Sequence, residues 1–244
     1  MVDLQRKKIL VTGASSGIGR AVALQISKMG ASVVACGRDY DRLMETNRAM
    51  AGTAHKIISF DVKDFSKYDL VFNDAVADGR KLDGLVHCAG VAIPTPLRIM
   101  SEDVVHNILD VNYVSFMMLV QRYIKRKYSN GGSIVAISSI NSHYPQKCMS
   151  VYAASKFAIE ASVKTMSLEM AEKGIRINCV VPGAVNTPMT QCCFEKTQQY
   201  LEKKSLLGMS EPEDVANMIV FLLSTASRKI TGRAMFIDSG WLGQ

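Results

Sequence analysis

Tyr152 and Lys156 stand four residues apart. In a segment of helical periodicity that spacing turns both side chains to one face, where they can meet the same ligand. A phenol beside an ammonium is a proton-transfer pair. Free tyrosine titrates near about 10 and is a poor base at neutral pH, but a neighbouring cation favours the phenolate. The phenol can then exchange a proton with an alkoxide or alcohol. Ser139, thirteen residues before Tyr152 at the end of an apolar strand, could hydrogen-bond the same oxygen and stabilise its developing charge. A Tyr four residues before a Lys is by itself a common surface pattern; the strand-end serine and the helix beginning at Tyr152 give it weight.

A second constellation, Thr12-Gly13-Ala14-Ser15-Ser16-Gly17-Ile18-Gly19, lies where an apolar run at 9–12 gives way to helical periodicity at 18–29. Glycines let such a turn adopt conformations a side chain forbids. They also bring a phosphate close to the N–H groups at the positive end of the following helix. On glycine content alone an ordinary glycine-rich loop is an equal reading, and the strand-to-helix setting favours a pyrophosphate.

The elements that must hold these groups follow from the hydrophobic pattern. Apolar runs at 9–12, 31–36, 56–60, 82–87, 133–137, 176–181 and 234–237 read as seven strands. They alternate with helical patterns at 18–29, 40–50, 65–77, 102–127, 151–173 and 213–223. Strands that are apolar without period-two alternation are covered on both faces. The expected fold class is therefore α/β: one doubly wound domain over 1–244, a seven-stranded parallel sheet flanked by helices on both faces, with its ligand at the carboxyl ends of the strands. The irregular stretch at 187–210, holding Cys192-Cys193 and Tyr200-Leu201, reads as a movable substrate flap. Its paired cysteines read as incidental rather than redox-active.

The composition, 48% hydrophobic and 21% charged, is that of an ordered globular chain. A net charge of +7 arises from 29 basic and 22 acidic residues, with short clusters at 6–8, 125–127 and 203–204. No nucleic-acid module or aromatic-interleaved basic stripe accompanies them, and a polyanion such as a phosphorylated dinucleotide suits the field better. No apolar run approaches the roughly 18 residues of a membrane span, and no apolar leader precedes Ile9. Six cysteines without a CxxC pair point to reduced thiols and a cytoplasmic protein. His55, His87, His106 and His143 show no zinc-ligand spacing, so no metal is expected. His143 and Tyr144 stand where they could line a substrate pocket, although His143 without a partner reads as a plain loop residue.

The Gly13-x-x-x-Gly17-x-Gly19 turn followed by Ser139, Tyr152 and Lys156 resembles the short-chain dehydrogenase/reductase family, and the likeness runs from the first strand to the last residues. The resemblance, particularly to 3-oxoacyl-[acyl-carrier-protein] reductase-like members, implies a Rossmann fold with a dinucleotide on Gly13, Ser15, Ser16, Gly17, Ile18 and Gly19. It implies Tyr152 as the general acid, Ser139 as partner of the carbonyl oxygen and Lys156 on the nicotinamide ribose. Asn112, in Asp110-Val111-Asn112, matches the family's fourth member, which places a relay water. Asp61 and Val62 match the adenine clamp, while Asp61 fits a helix-capping residue equally well. Ala89 and Gly90 match the end of an Asn-Asn-Ala-Gly stretch in which His87 and Cys88 here replace both asparagines. Pro182, Gly183, Val185 and Thr187 match the segment that contacts the nicotinamide.

Gly37 occupies the position where an acidic residue would mark NAD, and Arg38 follows it. A guanidinium can hold a 2′-phosphate bidentately, so NADP(H) is expected over NAD. On the other reading Arg38 is a surface residue, while Asp39 caps the next helix or takes the ribose. The expected reaction is hydride transfer between the nicotinamide and a small-molecule carbonyl or secondary alcohol. A carrier-bound 3-oxoacyl thioester and a sugar or polyol are both open as substrates. Family resemblance also implies a homotetramer or homodimer; Met166, Leu168, Met170 and Trp241-Leu242 are compatible with such an interface and equally with core packing. A non-catalytic dinucleotide sensor is the alternative from another class; the presence of both Tyr152 and Lys156 weighs against it.

Overall fold

The computed structural model describes residues 2–194 and 198–243, without the side chains of 193, 194 and 198. The middle of the 187–210 stretch and the Cys193 thiol therefore lie outside the described residues. Seven strands form one parallel sheet in the order β3-β2-β1-β4-β5-β6-β7. They are β1 (Lys8–Thr12), β2 (Ser32–Gly37), β3 (Lys56–Ser59), β4 (Leu82–His87), β5 (Ser129–Ile137), β6 (Ile175–Pro182) and β7 (Ala234–Ile237). The strand order reverses between β1 and β4, which opens a crevice at their carboxyl ends.

Successive residues of each inner strand feed opposite cores. Leu10, Val34, Leu85, Ile134 and Ile177 face α3 (Tyr68–Ala75), α5 (Ser115–Tyr123) and α6 (Ser150–Ala171), whose Phe72, Phe116, Ile159 and Val163 complete one apolar layer. Ile9, Val11, Val33, Val86, Val135 and Val180 face α1 (Gly17–Lys28), α2 (Tyr40–Ala49) and α9 (Pro212–Leu223) through Val22, Ile26, Leu43, Val215 and Ile219. Double coverage explains why these strands read as unbroken apolar runs.

The structure refines the sequence expectation at three places. Strand β5 starts at Ser129 rather than 133: Gly131 and Gly132, at positive φ of 127° and 118° that favour glycine, carry the chain through a register shift against β4, and Gly132 already pairs with Ile175 of β6. The helical pattern over 102–127 resolves into α4 (Glu102–Leu109), a π-helical turn at Asp110–Val114, and α5. The wider turn bends the segment at Asn112. Within 187–210, α7 (Pro188–Phe194) and α8 (Gln198–Lys204) form, and the ends of the stretch are pinned together by a Val185–Ser210 bridge.

Candidate active site

A continuous cleft crosses the carboxyl ends of β1, β2, β4, β5 and β6. At its first end, Gly13, Ser15, Ser16, Gly17, Ile18 and Gly19 form the floor. Gly13 adopts φ of 69°, and a Cβ there would lie 2.8 Å from Ala89 N. A Cβ at Gly19 would collide with the Gly13 carbonyl. The turn is thus folded so tightly against β4 and its own helix that only glycine fits, and its backbone is left facing the cleft, as a pyrophosphate requires. The residues present fit a dinucleotide.

Arg38, Asp61 and Val62 line the outer end of this region, and Ala89 and Gly90 its wall. The Arg38 guanidinium is 68% exposed and stands 3.9 Å from the Asp61 carboxylate. Asp61 also accepts from Lys63 N–H at 2.9 Å, closing a local turn. Asp39 does not enter the cleft: its carboxylate caps α2 by accepting from Arg42 N–H at 3.1 Å. A Cβ at Gly37 would sit 3.3 Å from Ser15 Oγ. The absence of a side chain there leaves room beside Ser15 and Arg38.

Farther along the same cleft come Ser139, Tyr152, Lys156, Pro182, Gly183, Val185 and Thr187. Helix α6 carries Tyr152 and Lys156 on one face, with the ammonium 5.7 Å from the phenol ring centroid. Lys156 is 4% exposed and donates to the Ile137 carbonyl at 2.8 Å. Burial pulls its pKa down to about 8. Ser139 Oγ accepts from Asn141 N–H at 3.2 Å, which leaves its own proton for another acceptor. Ser138, the residue before it, turns its hydroxyl toward Glu160.

Asn112 does not line the cleft. Fully buried on the π-helical turn, its amide accepts from Val91 N–H at 2.8 Å and donates to Val91 O and Ser155 Oγ, each at 3.0 Å. A Cβ at Gly90 would lie 3.3 Å from Lys156 Nζ and 3.4 Å from Asn112 Oδ1, so the two polar groups flank that glycine. Beside them, His87 fills the space that the sequence departure left open. Its ring meets Thr12 Oγ1 at 3.0 Å and Ser115 Oγ at 3.3 Å and stacks on Phe116. Desolvation holds its pKa down to about 3, so the ring bridges β1, β4 and α5 as a neutral group.

Beyond Tyr152 the cleft ends in a pocket lined by Ala92, Ile140, Gln146, Ala184, Leu201 and Trp241. Sequence reasoning did not single out Ala92, Gln146 or the pocket role of Trp241, which arrives from the far end of the chain. Tyr144 and Tyr200 join hydroxyls at 3.1 Å across the pocket's edge, and both rings pack on Trp241. His143 corrects the plain-loop reading: its Nε2 lies 2.8 Å from Glu160, seventeen residues later on α6. The available signal was Glu160 itself, a charge inside the apolar stripe Ile159, Val163 and Met166. Met166 and Met170 are core residues, whereas Leu168 is 76% exposed. Among the described residues, no group of acidic, histidine or cysteine side chains could hold a metal, and no helix is long and apolar enough to cross a membrane.

A doubly wound parallel sheet, a glycine turn at the head of α1 and a Ser-Tyr-Lys cluster along one cleft define a dinucleotide-binding oxidoreductase. Comparison with known proteins agrees. Residues 13–242 match the family described as Enoyl-(Acyl carrier protein) reductase. The chain is 33% identical over 242 residues to the glucose 1-dehydrogenase of Gluconobacter oxydans, covering 96% of this chain and 91% of the relative. It is 33% identical over 244 residues to the 3-oxoacyl-[acyl-carrier-protein] reductase FabG of Thermotoga maritima, covering 97% and 98%. A short-chain type dehydrogenase/reductase from Mycobacterium ulcerans shares the fold at a TM-score of 0.91 and 27% identity, over 99% of this chain and 92% of that one. The chain belongs to the short-chain dehydrogenase/reductase family, whose chemistry is oxidoreduction at CH–OH and C=O groups.

Proposed function

We propose that this protein is an NADP(H)-dependent reductase of ketones or aldehydes that also runs in reverse on secondary alcohols. The observation that carries the reading is the meeting of Ser139, Tyr152 and Lys156 in the stretch of cleft that continues from the glycine turn. When bound, the dinucleotide supplies or accepts the hydride. Ser139, its hydroxyl oriented by Asn141 N–H, donates to the substrate oxygen and stabilises charge as it develops. Tyr152 delivers the proton to that oxygen. Lys156 favours the phenolate left behind and holds the ribose hydroxyls, and Asn112 serves the far end of the proton relay behind Gly90. Val185 and Thr187 hold the carboxamide end, with Pro182 and Gly183 shaping the turn.

The preference for NADP(H) is supported by Gly37 and Arg38: one leaves space and the other offers a cation where a 2′-phosphate would sit. Asp61 and Val62 flank the adenine. For the substrate we assign a 3-oxoacyl thioester presented by a carrier protein, supported by the FabG relative and by the apolar lining of Ile140, Ala184 and Leu201. A sugar or polyol is the second reading, favoured by the glucose 1-dehydrogenase relative. The 187–210 stretch acts as the flap over this pocket. Exposed Phe157, Leu168 and Phe236 on α6 and β7 support assembly as a homotetramer or homodimer, which a light-scattering mass would test. The proposed setting is the cytoplasm.

The deciding experiment follows NADPH oxidation with acyl thioesters, sugars and steroid-like ketones, with Tyr152→Phe as control. A thioester preference, with turnover reduced about 10²–10⁴-fold in the variant, is expected. Tight cofactor binding without turnover of any carbonyl, together with a stable protein partner, would favour the sensor alternative.

A further inference from the structure

We propose that Glu160 is a positioning residue for the carbonyl chemistry assigned above, an inference that rests on that reading. Its buried carboxylate gathers the turn at 138–143 onto α6, the helix that also bears Tyr152 and Lys156, and so sets where Ser139 stands relative to the phenol.

Glu160 lies one helical turn beyond Lys156 and is only 4% exposed. A carboxylate at that depth needs donors, because desolvation without partners costs several kcal/mol. Here they all come from one short segment. Ser138 Oγ donates to Oε1 at 2.5 Å, Ser142 Oγ reaches the same oxygen at 2.6 Å, and His143 Nε2 meets Oε2 at 2.8 Å. An ionised carboxylate only accepts, so the hydroxyl protons and the imidazole N–H are drawn toward it. The two serines are also tied to the backbone nearby: Ser138 Oγ lies 3.1 Å from Lys156 O, and Ser142 Oγ contacts Ser139 O.

Ser139 sits inside the span held by these contacts. Ser139 follows in extended backbone and lines the pocket beyond Tyr152, whereas the Ser138 hydroxyl is turned onto Glu160. Glu160 itself is absent from the cleft wall, so any effect it has on the reaction passes through the turn. The far side of the turn is closed by apolar packing, with the His143 ring 4.9 Å from Phe236 and 5.9 Å from Phe157. An apolar residue in place of Glu160 could fill the volume. It could not fix the direction of three donors, and it would leave the hydroxyls of Ser138 and Ser142 without their carboxylate partner.

The test combines turnover with a measurement that needs none. In Glu160→Leu, kcat for carbonyl reduction is expected to fall about 10-fold or more, since a displacement on the order of 1 Å can cost roughly 10²-fold. KM and the NADPH Kd, read by cofactor fluorescence, should stay within about 2-fold. Glu160→Gln should restore most of kcat, because its amide oxygen can accept from the serines and its NH₂ can face His143. In the cofactor-free protein, amide hydrogen exchange at 138–143 should accelerate in Glu160→Leu and stay unchanged at 13–19. Should Glu160→Leu fail to fold, Ser138→Ala combined with Ser142→Ala removes the same contacts from the other side and should act likewise. Unchanged exchange at 138–143, or wild-type kcat, overturns the proposal. So does a parallel loss of kcat, cofactor affinity and Tm that Gln does not rescue, which marks a purely architectural role. Tyr152→Phe, assayed alongside, separates the two ideas. Full turnover in that variant defeats the reading of the site, whereas an inert Tyr152→Phe with an unaffected Glu160→Leu defeats only the inference.

Discussion

Lys156 Nζ donates to the Ile137 carbonyl at 2.8 Å, linking the cation on α6 to the last residue of β5, two positions before Ser139. The contact fixes the ammonium at the strand end, and the burial that accompanies it holds the pKa down to about 8. For a base, this means the proton is lost earlier on raising pH than from an ordinary lysine. The kcat/KM for carbonyl reduction, which reports groups of the free enzyme, should therefore decline as pH rises through about 8. A profile flat to about pH 10, where a free lysine titrates, would contradict the role given to this ammonium.

Cofactor choice is predicted to depend on Arg38. Its charge-assisted hydrogen bonds to a 2′-phosphate should be worth about 1.5–3 kcal/mol, so Arg38→Ala should raise the NADPH Kd about 10-fold or more and leave NADH within about 2-fold. Fluorescence titration with both cofactors measures this directly. Equal changes for the two, or none, would reassign Arg38 to the surface. Gly37→Asp should move preference the other way, by placing a carboxylate beside Ser15.

His87 makes acid stability a readout of the β1–β4 junction. Its folded pKa, about 3, lies below the ordinary value of 6.5, so the unfolded chain binds the extra proton first. The stabilisation is present above pH 6.5 and is lost progressively as pH falls toward 3. Replacing the ring by an asparagine, His87→Asn, should flatten the decline of Tm across that window. An unaltered slope would show that the ring is not a significant proton-linked group.

Asn112 is expected to matter for stability as well as rate. Asn112→Ala strips partners from both backbone groups of Val91, at a cost of about 1–3 kcal/mol for buried groups left unpaired. A chain of this size loses roughly 2–4 °C of Tm per kcal/mol, so calorimetry should see the change. A collapse of kcat at an unchanged Tm would instead confine Asn112 to proton relay.

Much of this site could be read from the sequence because its parts are local or periodic. The glycine turn is contiguous, Tyr152 and Lys156 share a helix face, and Ser139 lies just past a strand end. Asp39 fitted helix capping as well as ribose binding, and only the placed α2 decides for capping. Glu160 was hidden for a different reason: a glutamate on a helix usually meets solvent, and the donors that justify its burial arrive only when the 138–143 turn folds back over α6. His143 lost its partner to the same distance. Gly131 and Gly132 imitate a turn, since nothing local reveals that they sit within β5, at its register shift against β4, with Gly132 paired to β6. Trp241 reaches the pocket through the last crossover of the fold, a relationship that hydrophobic pattern does not encode.

The small cluster of Ile140, Leu201 and Trp241 stands apart from the two large cores that clasp the sheet. The surface proposed to take the substrate is thereby set apart from the interior that keeps the molecule folded. Substitutions confined to that corner should therefore alter which alcohol or ketone is accepted while leaving the sheet, the glycine turn and the Tyr152–Lys156 pair in place.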